Sequence, residues 1–345
     1  MKVADLDFYL PETLIAKKPS GKRDHSRLLV LHKDGRIEHT RFYNLPEYLN
    51  KRDMLILNNT RVFPARLTGI KPTGGKIEFL LIKEICPDTW EILSRKKYSG
   101  IITISENFSA EISEGRIARF SYSGDFMENV RRHGDMPLPP YIKRRPNPMD
   151  KEWYQTVYAS NEGSIAAPTA GFHFTGDLID QIKDKGVAVR YITLHVGIGT
   201  FKPVRTNRPE EHSMDSEYFE ISSDIIKEIK AAKDSGRKII AVGTTTTRAV
   251  EGNSSGQWSS ASNGPIVPSG VRHNGVICGY TNIFIYPGYK FNVIDSLVTN
   301  FHLPHSTPLL LTSALCGPKN LMKAYNEAIA HKYRFFSYGD AMLIL

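Results

Sequence analysis

Residues 164–175 read SIAAPTAGFHFT: one imidazole, two threonines and no formal charge, in a chain that is 23% Asp, Glu, Lys and Arg. Its apolar residues follow neither the 3.6-residue period of a helix nor the alternation of a strand. Pro168 and Gly171 mark a turn, and His173 stands between Phe172 and Phe174. Small residues let backbone approach a ligand closely, so Thr169, Gly171, Phe172 and Phe174 are candidate substrate contacts. His173 among them is a candidate neutral proton acceptor. A second group is VGTTTTRAVE (242–251). A strand ending at Val242 turns at Gly243 into a helix opened by Thr244, Thr245, Thr246 and Thr247, with Arg248 in its early turns. Helix-start amides, hydroxyls and a guanidinium together make an anion site. Four consecutive threonines are poor material for a simple cap.

Three weaker signals accompany these. LHVGIGTF (194–201) puts His195 at a strand end before a G-x-G, without the acidic residue or third glycine of a methyltransferase loop. His195 stands open between a proton acceptor and a satisfied structural histidine. Asn300 and His302, in TNFH, precede a helix capped near Ser306 and are not accounted for by that cap. Tyr338 and Asp340 occupy a turn before the last apolar strand. Asp340 is either an Asx-type turn former or a ligand contact. The chain contains no Walker A sequence, HExxH or Cys/His cluster. Structural zinc and ATP-driven chemistry therefore lose ground, and no metal is expected.

The elements that must hold these residues have two textures. From Ala65 to Gly124 six short β-rich runs (ARLTGI, KIEFLLIKEI, WEILSR, GIITIS, SAEISE and RIARFSYS) are separated by Gly-, Pro- and Asp-containing turns. That spacing predicts a small antiparallel barrel or sandwich. The proline-dense MPLPPYIKRRPNPMD (136–150) reads as a linker leading out. Thereafter helix and strand alternate. Thr175 caps GDLIDQIKDK before VAVRYITLHV, and Ser223 caps DIIKEIKAAKDS before KIIAV. The expected fold class is α/β: a mixed-sheet body of residues 1–64 with 152–345, and an inserted β-barrel at 65–151. The polar, Gly/Ser-rich stretch 251–265 reads as a surface loop and a candidate lid.

The 345 residues give ample material for a core, and 41% are hydrophobic. Cys86, Cys278 and Cys316 are odd in number and scattered, which supports no disulfide framework. With no signal-peptide pattern and no apolar run long enough to span a bilayer, a cytoplasmic protein with no membrane association is expected. The formal charge of +9 is partly clustered, at Lys17-Lys18, Lys22-Arg23, Arg95-Lys96-Lys97, Arg131-Arg132 and Lys143-Arg144-Arg145. Such clusters suit a polyanion, or are simply a solvated basic face.

Taken in order, NNTRVFPARL (58–67), GDMPLPPYIKR (134–144), GSIAAPTAGFHFT (163–175), TLHVGIGTFKPV (193–204), AVGTTTTRAVE (241–251), TNFHLPHSTPLLL (299–311) and RFFSYGDAMLI (334–344) resemble the S-adenosylmethionine:tRNA ribosyltransferase-isomerases of queuosine biosynthesis. The resemblance runs over essentially the whole chain. It departs from the family pattern at Asp215, Tyr280 and Asn282. It implies that the ribosyl part of S-adenosylmethionine moves onto 7-aminomethyl-7-deazaguanine in a tRNA anticodon. The sugar is isomerised to an epoxycyclopentane, and adenine and methionine are released. S-adenosylmethionine would be a consumed substrate, no resident cofactor is implied, tRNA is the partner and a monomer is expected. An RNA methyltransferase, a non-catalytic tRNA-binding protein and a phosphoribosyltransferase are the alternatives. The last lacks an acidic pair before the threonine run.

Overall fold

The computed structural model describes residues 1–254, 272–273 and 275–345. Along the chain the strands are β1 (Arg27–Leu31), β2 (Ile37–Arg41), β3 (Met54–Asn58), β4 (Thr60–Val62), β5 (Arg66–Ile70), β6 (Lys76–Cys86), β7 (Thr89–Ser94), β8 (Gly100–Ser105), β9 (Phe108–Ser113) and β10 (Ile117–Tyr122). They continue as β11 (Asn161–Ser164), β12 (Ala188–Leu194), β13 (Glu217–Ser222), β14 (Ile239–Val242), β15 (Arg272–His273), β16 (Val276–Thr281), β17 (Ser296–Asn300) and β18 (Ala341–Ile344). The α-helices are α1 (Phe126–His133), α2 (Asp150–Trp153), α3 (Gly176–Asp184), α4 (Ser223–Asp234), α5 (Thr244–Ser254), α6 (Thr307–Cys316) and α7 (Pro318–Ala330).

Ten strands form one mixed sheet in the order β15-β16-β13-β12-β3-β14-β17-β18-β1-β2. Its centre is parallel: β12 and β14 both pair with β3, and β14 pairs with β17. The continuous apolar runs RLLVL, MLILN, IIAV and AMLI follow from this position, because both faces of these strands are buried. Leu29, Ile56, Ala241 and Met342 face one core with α5, α6 and α7. Their neighbours Leu28, Leu55, Val242 and Leu343 face the other with α3 and Phe174. Each such aliphatic side chain taken from water contributes roughly 1.5–3 kcal/mol.

Strands β5 to β10 close into an antiparallel barrel in the order β10-β7-β6-β5-β8-β9. All six predicted β-rich runs are strands of it. Period-two alternation puts Leu67, Phe79, Trp90, Ile102, Phe108 and Phe120 inside. The two αβ units form as the sequence indicates, and Thr175 caps α3 by accepting from Leu178 N–H. One cap differs. Ser222, not Ser223, caps α4: its backbone is still extended and its hydroxyl accepts from Asp224 N–H. Edge strand β2 was not read from the sequence, because IEHTR is half-exposed and carries no apolar alternation. Of the expected loop 251–265, residues 251–254 close α5, and the remainder lies outside the described residues. Among the described residues no helix is long and apolar enough to cross a membrane.

Candidate functional site

A cleft of about 650 Å³, counting its open mouth, lies at the carboxyl ends of β14 and β17. Ligands of open parallel sheets bind outside those ends, where loops leave the sheet. The walls come from the Ala166–Ala170 segment, the Gly243–Thr245 turn, the Thr299–Leu303 exit of β17, Phe336-Ser337 before β18, and Tyr141 of the proline-rich segment. Among the described residues no Asp, Glu, Lys or Arg lines it.

The uncharged stretch 164–175 builds one wall, and a buried chain of hydrogen bonds runs behind it. Thr169 Oγ1 donates to Asn300 Oδ1 at 3.1 Å. Asn300 Nδ2 donates to Phe336 O at 3.2 Å and lies 3.1 Å from His173 Nε2. Donation to a carbonyl fixes the amide orientation, so His173 Nε2 accepts and the ring proton sits on Nδ1. That proton faces Ser26 Oγ at 2.7 Å. Desolvation pushes the His173 pKa down to about 4, so the ring is neutral at neutral pH.

Of the residues singled out in the sequence, Thr169, Thr244, Thr245, Asn300 and His302 line the cleft together. The others do not. His173 has both ring nitrogens bonded and packs on Phe42, which replaces the proton-acceptor reading with one of positioning Asn300. His195 sits off the cleft, with Nδ1 on Thr60 Oγ1 at 2.8 Å and its ring stacked on Tyr218. Gly171 is required for packing, not for ligand approach: a Cβ there would lie 2.1 Å from the Tyr158 hydroxyl. Phe172 stacks with Tyr338, whose hydroxyl donates to Asp150. Phe174 is wholly buried under the sheet.

The TTTTR group divides in the same way. Thr246 and Thr247 turn their hydroxyls back onto Val242 O and Gly243 O and are fully buried. Arg248 is 6% exposed, forms an ion pair with Glu217, and donates Nε to Ile283 O. Its charge is neutralised by Glu217, and with Thr244 and Thr245 it lines a smaller pocket that shares those threonines with the cleft. Asp340 is structural. It is 2% exposed and accepts from Arg27 N–H, Arg27 Nε and Arg334 N–H.

His302 is the imidazole that lines the cleft. Its Nε2 is held by Thr299 Oγ1 at 2.7 Å, and burial pushes its pKa down to about 3. Sequence reasoning missed Tyr141 and Ser337, which pair through their hydroxyls at 2.5 Å across the mouth. The lone aromatic inside the proline-dense segment 136–150 is the signal that could have found Tyr141.

Beyond Tyr141 the rim is basic. Arg144 clasps Asp150 at 2.6 Å through both terminal nitrogens and donates Nε to Lys17 O, and Lys143 pairs with Glu12. These contacts bring Lys17 beside residues 143–145, and Lys17, Lys18, Lys22 and Arg145 are exposed. Three potential metal donors, His39, Glu327 and His331, meet on β2 and at the end of α7. None lines the cleft, and their separations of 3.5 and 3.3 Å are those of ordinary ion pairs.

Comparison with known proteins adds the following. A family model described as "Queuosine biosynthesis protein" matches residues 3–344. An S-adenosylmethionine:tRNA ribosyltransferase-isomerase of Thermodesulfovibrio yellowstonii is 52% identical, with all of both chains covered. One of Halothermothrix orenii is 50% identical, again over all of both chains. The crystal structure of the S-adenosylmethionine tRNA ribosyltransferase of Thermotoga maritima is 34% identical, with a TM-score of 0.55 over 99% of this chain and 100% of that one.

Proposed function

The chain belongs to the queuosine biosynthesis protein family, and on that premise we propose that it transfers and isomerises the ribosyl part of S-adenosylmethionine onto a tRNA base. The acceptor is 7-aminomethyl-7-deazaguanine in the anticodon; the products are epoxyqueuosine-tRNA, adenine and methionine. The observation that carries the reading is the cleft itself: uncharged and hydroxyl-rich, at the ends of parallel strands, opening beside a basic rim. A sulfonium nucleoside is recognised in such surroundings by hydrogen bonds and close small-residue walls. The rim residues Lys17, Lys18, Lys22 and Arg145 present positive charge to an RNA backbone at the cleft mouth.

The chemistry needs a proton removed from the carbon next to the sulfonium and a hydrogen bond to the departing adenine. Neutral His302, held at Nε2 by Thr299, is the imidazole placed to meet a bound nucleoside. Thr169 and Asn300 share that wall, oriented by His173. S-adenosylmethionine is a substrate in this scheme, and the residues named need no resident cofactor. A monomer working in the cytoplasm completes the proposal. The test is single-turnover reaction with tRNA carrying the aminomethyl base. Adenine release equal to the amount of base modified supports the proposal. Methyl transfer without adenine release overturns it in favour of a methyltransferase.

A further inference from the structure

We infer that the first turn of α5 is an oxyanion subsite for the amino-acid carboxylate of S-adenosylmethionine, built from Thr244, Thr245 and backbone amides. The inference rests on the reading of the cleft as the S-adenosylmethionine site.

A carboxylate moved from water into a cleft needs donors to replace its hydration. Among the described residues no Lys or Arg lines this cleft; Arg248 lines a smaller pocket that shares Thr244 and Thr245 with it, and is committed to Glu217. Most lining side-chain donors are already engaged. Thr169 and Asn300 serve each other, Phe336 O and His173. Thr299 serves His302, Thr200 donates to Glu217, and Ser306 donates to Leu303 O. Ser337 is paired with Tyr141. The hydroxyl of Thr245 is different. The residue is 6% exposed and lines the cleft, yet Oγ1 has no hydrogen-bond partner. A buried hydroxyl left unbonded is costly, which points to a partner that arrives with the ligand.

The surrounding geometry suits a small anion. Gly243 has φ +91°, and a Cβ placed on it would stand 3.5 Å from Thr245 Oγ1 and 3.7 Å from the Ala170 methyl. The glycine therefore leaves an open niche between the two walls. Helix α5 spans 11 residues, and its first-turn amides have no acceptor within the helix. They carry about half a positive charge at that end. The helix cannot easily shift, because Arg248 ties it to β13 and Glu251 accepts N–H bonds from Asn292, Val293 and Ile294.

The test pairs a side-chain deletion with a carboxylate deletion. Binding of S-adenosylmethionine and of its decarboxylated analogue is measured by calorimetry on wild type, Thr245→Val and Thr245→Ser. Each titration is run alone and with an anticodon stem-loop carrying unmodified guanine, which lacks the aminomethyl nucleophile. Thr245→Val should weaken S-adenosylmethionine about 10- to 150-fold, one lost hydrogen bond to a charged group. It should leave the analogue within twofold, and Thr245→Ser should restore binding. The ligand-free melting temperature of Thr245→Val should not fall, since the deleted hydroxyl bonds to nothing. Equal losses for both ligands, or a lowered melting temperature with no difference between ligands, overturn the subsite alone. If Thr245→Val instead weakens the stem-loop, the anion is an RNA phosphate and the carboxylate assignment is wrong. Absence of S-adenosylmethionine binding to the wild type under both conditions overturns the underlying reading of the cleft.

Discussion

His173 touches the cleft only through Asn300, and that geometry decides what its replacement does. Glutamine offers a carbonyl at a similar reach to accept from Asn300 Nδ2, so His173→Gln should keep adenine release within about tenfold of wild type. His173→Ala leaves that buried amide proton unpaired, at about 1–3 kcal/mol, and should be clearly worse. A ring acting as general base would lose about 10²–10⁴ in both variants, so equal collapse in single-turnover kinetics would falsify the positioning role. Acid stability gives a second check. The His173 pKa is lowered from 6.5 to about 4, so between those values the unfolded chain binds a proton that the folded chain refuses. Stability then rises with pH across that window and is lost as pH falls through it, by an amount on the order of 3 kcal/mol at its lower end. Urea midpoints at pH 7 and 4.5 should show a smaller acid loss in His173→Gln than in wild type. An unchanged loss would mean that the ring is not held neutral. The sequence disclosed the neutrality of this wall and the place of His173 beside it. It could not disclose Ser26 and Asn300, which are 147 and 127 residues away.

Helix α5 shows how an element can be legible in the sequence while the partner of one of its residues is not. The strand, turn and helix of AVGTTTTRAVE form where local signals place them, and Thr244 and Thr245 open onto the cleft. Arg248, one helical turn later, is engaged by Glu217, 31 residues back in the chain. A charge partner on a separate strand leaves no trace in local spacing. Both side chains are nearly inaccessible, so removing one strands the other inside the core. Arg248→Ala should lower unfolding free energy by about 3–5 kcal/mol. Replacing both partners, as Arg248→Met with Glu217→Leu, should recover much of that loss. Thermal or urea unfolding of the two single variants and the double one measures the coupling; additive losses would show that the pair is not a unit. The barrel was legible for the opposite reason. Its strands alternate over most of their length, and its six runs lie close together, so the pattern needed no distant partner to be recognised.

At the scale of the whole molecule the excess of positive charge acquires a location. Composition fixed the +9 but left open whether it formed a solvated face or a binding surface. The fold brings two basic segments far apart in the chain together, through Arg144 to Lys17 O and Lys143 to Glu12, beside the Tyr141 edge of the cleft. An RNA lying along this rim would release roughly one counterion for each phosphate neutralised. Affinity for tRNA should therefore fall linearly in a plot of log K against log salt. In the triple variant Lys17→Ala, Lys18→Ala, Arg145→Ala, the slope should shrink by about 2–3, since each lysine or arginine on a phosphate supplies about 0.7–0.9 of it. All three residues are exposed, and none lines the cleft, so S-adenosylmethionine binding and melting temperature should be unchanged. Filter binding or fluorescence anisotropy from 50 to 300 mM salt reads the slope directly, with a triple substitution at Arg95, Lys96 and Lys97 on the barrel as the matched control. If the barrel control lowers the slope and the rim variant does not, tRNA is gripped by the barrel instead. If neither changes it, both clusters are solvated charge.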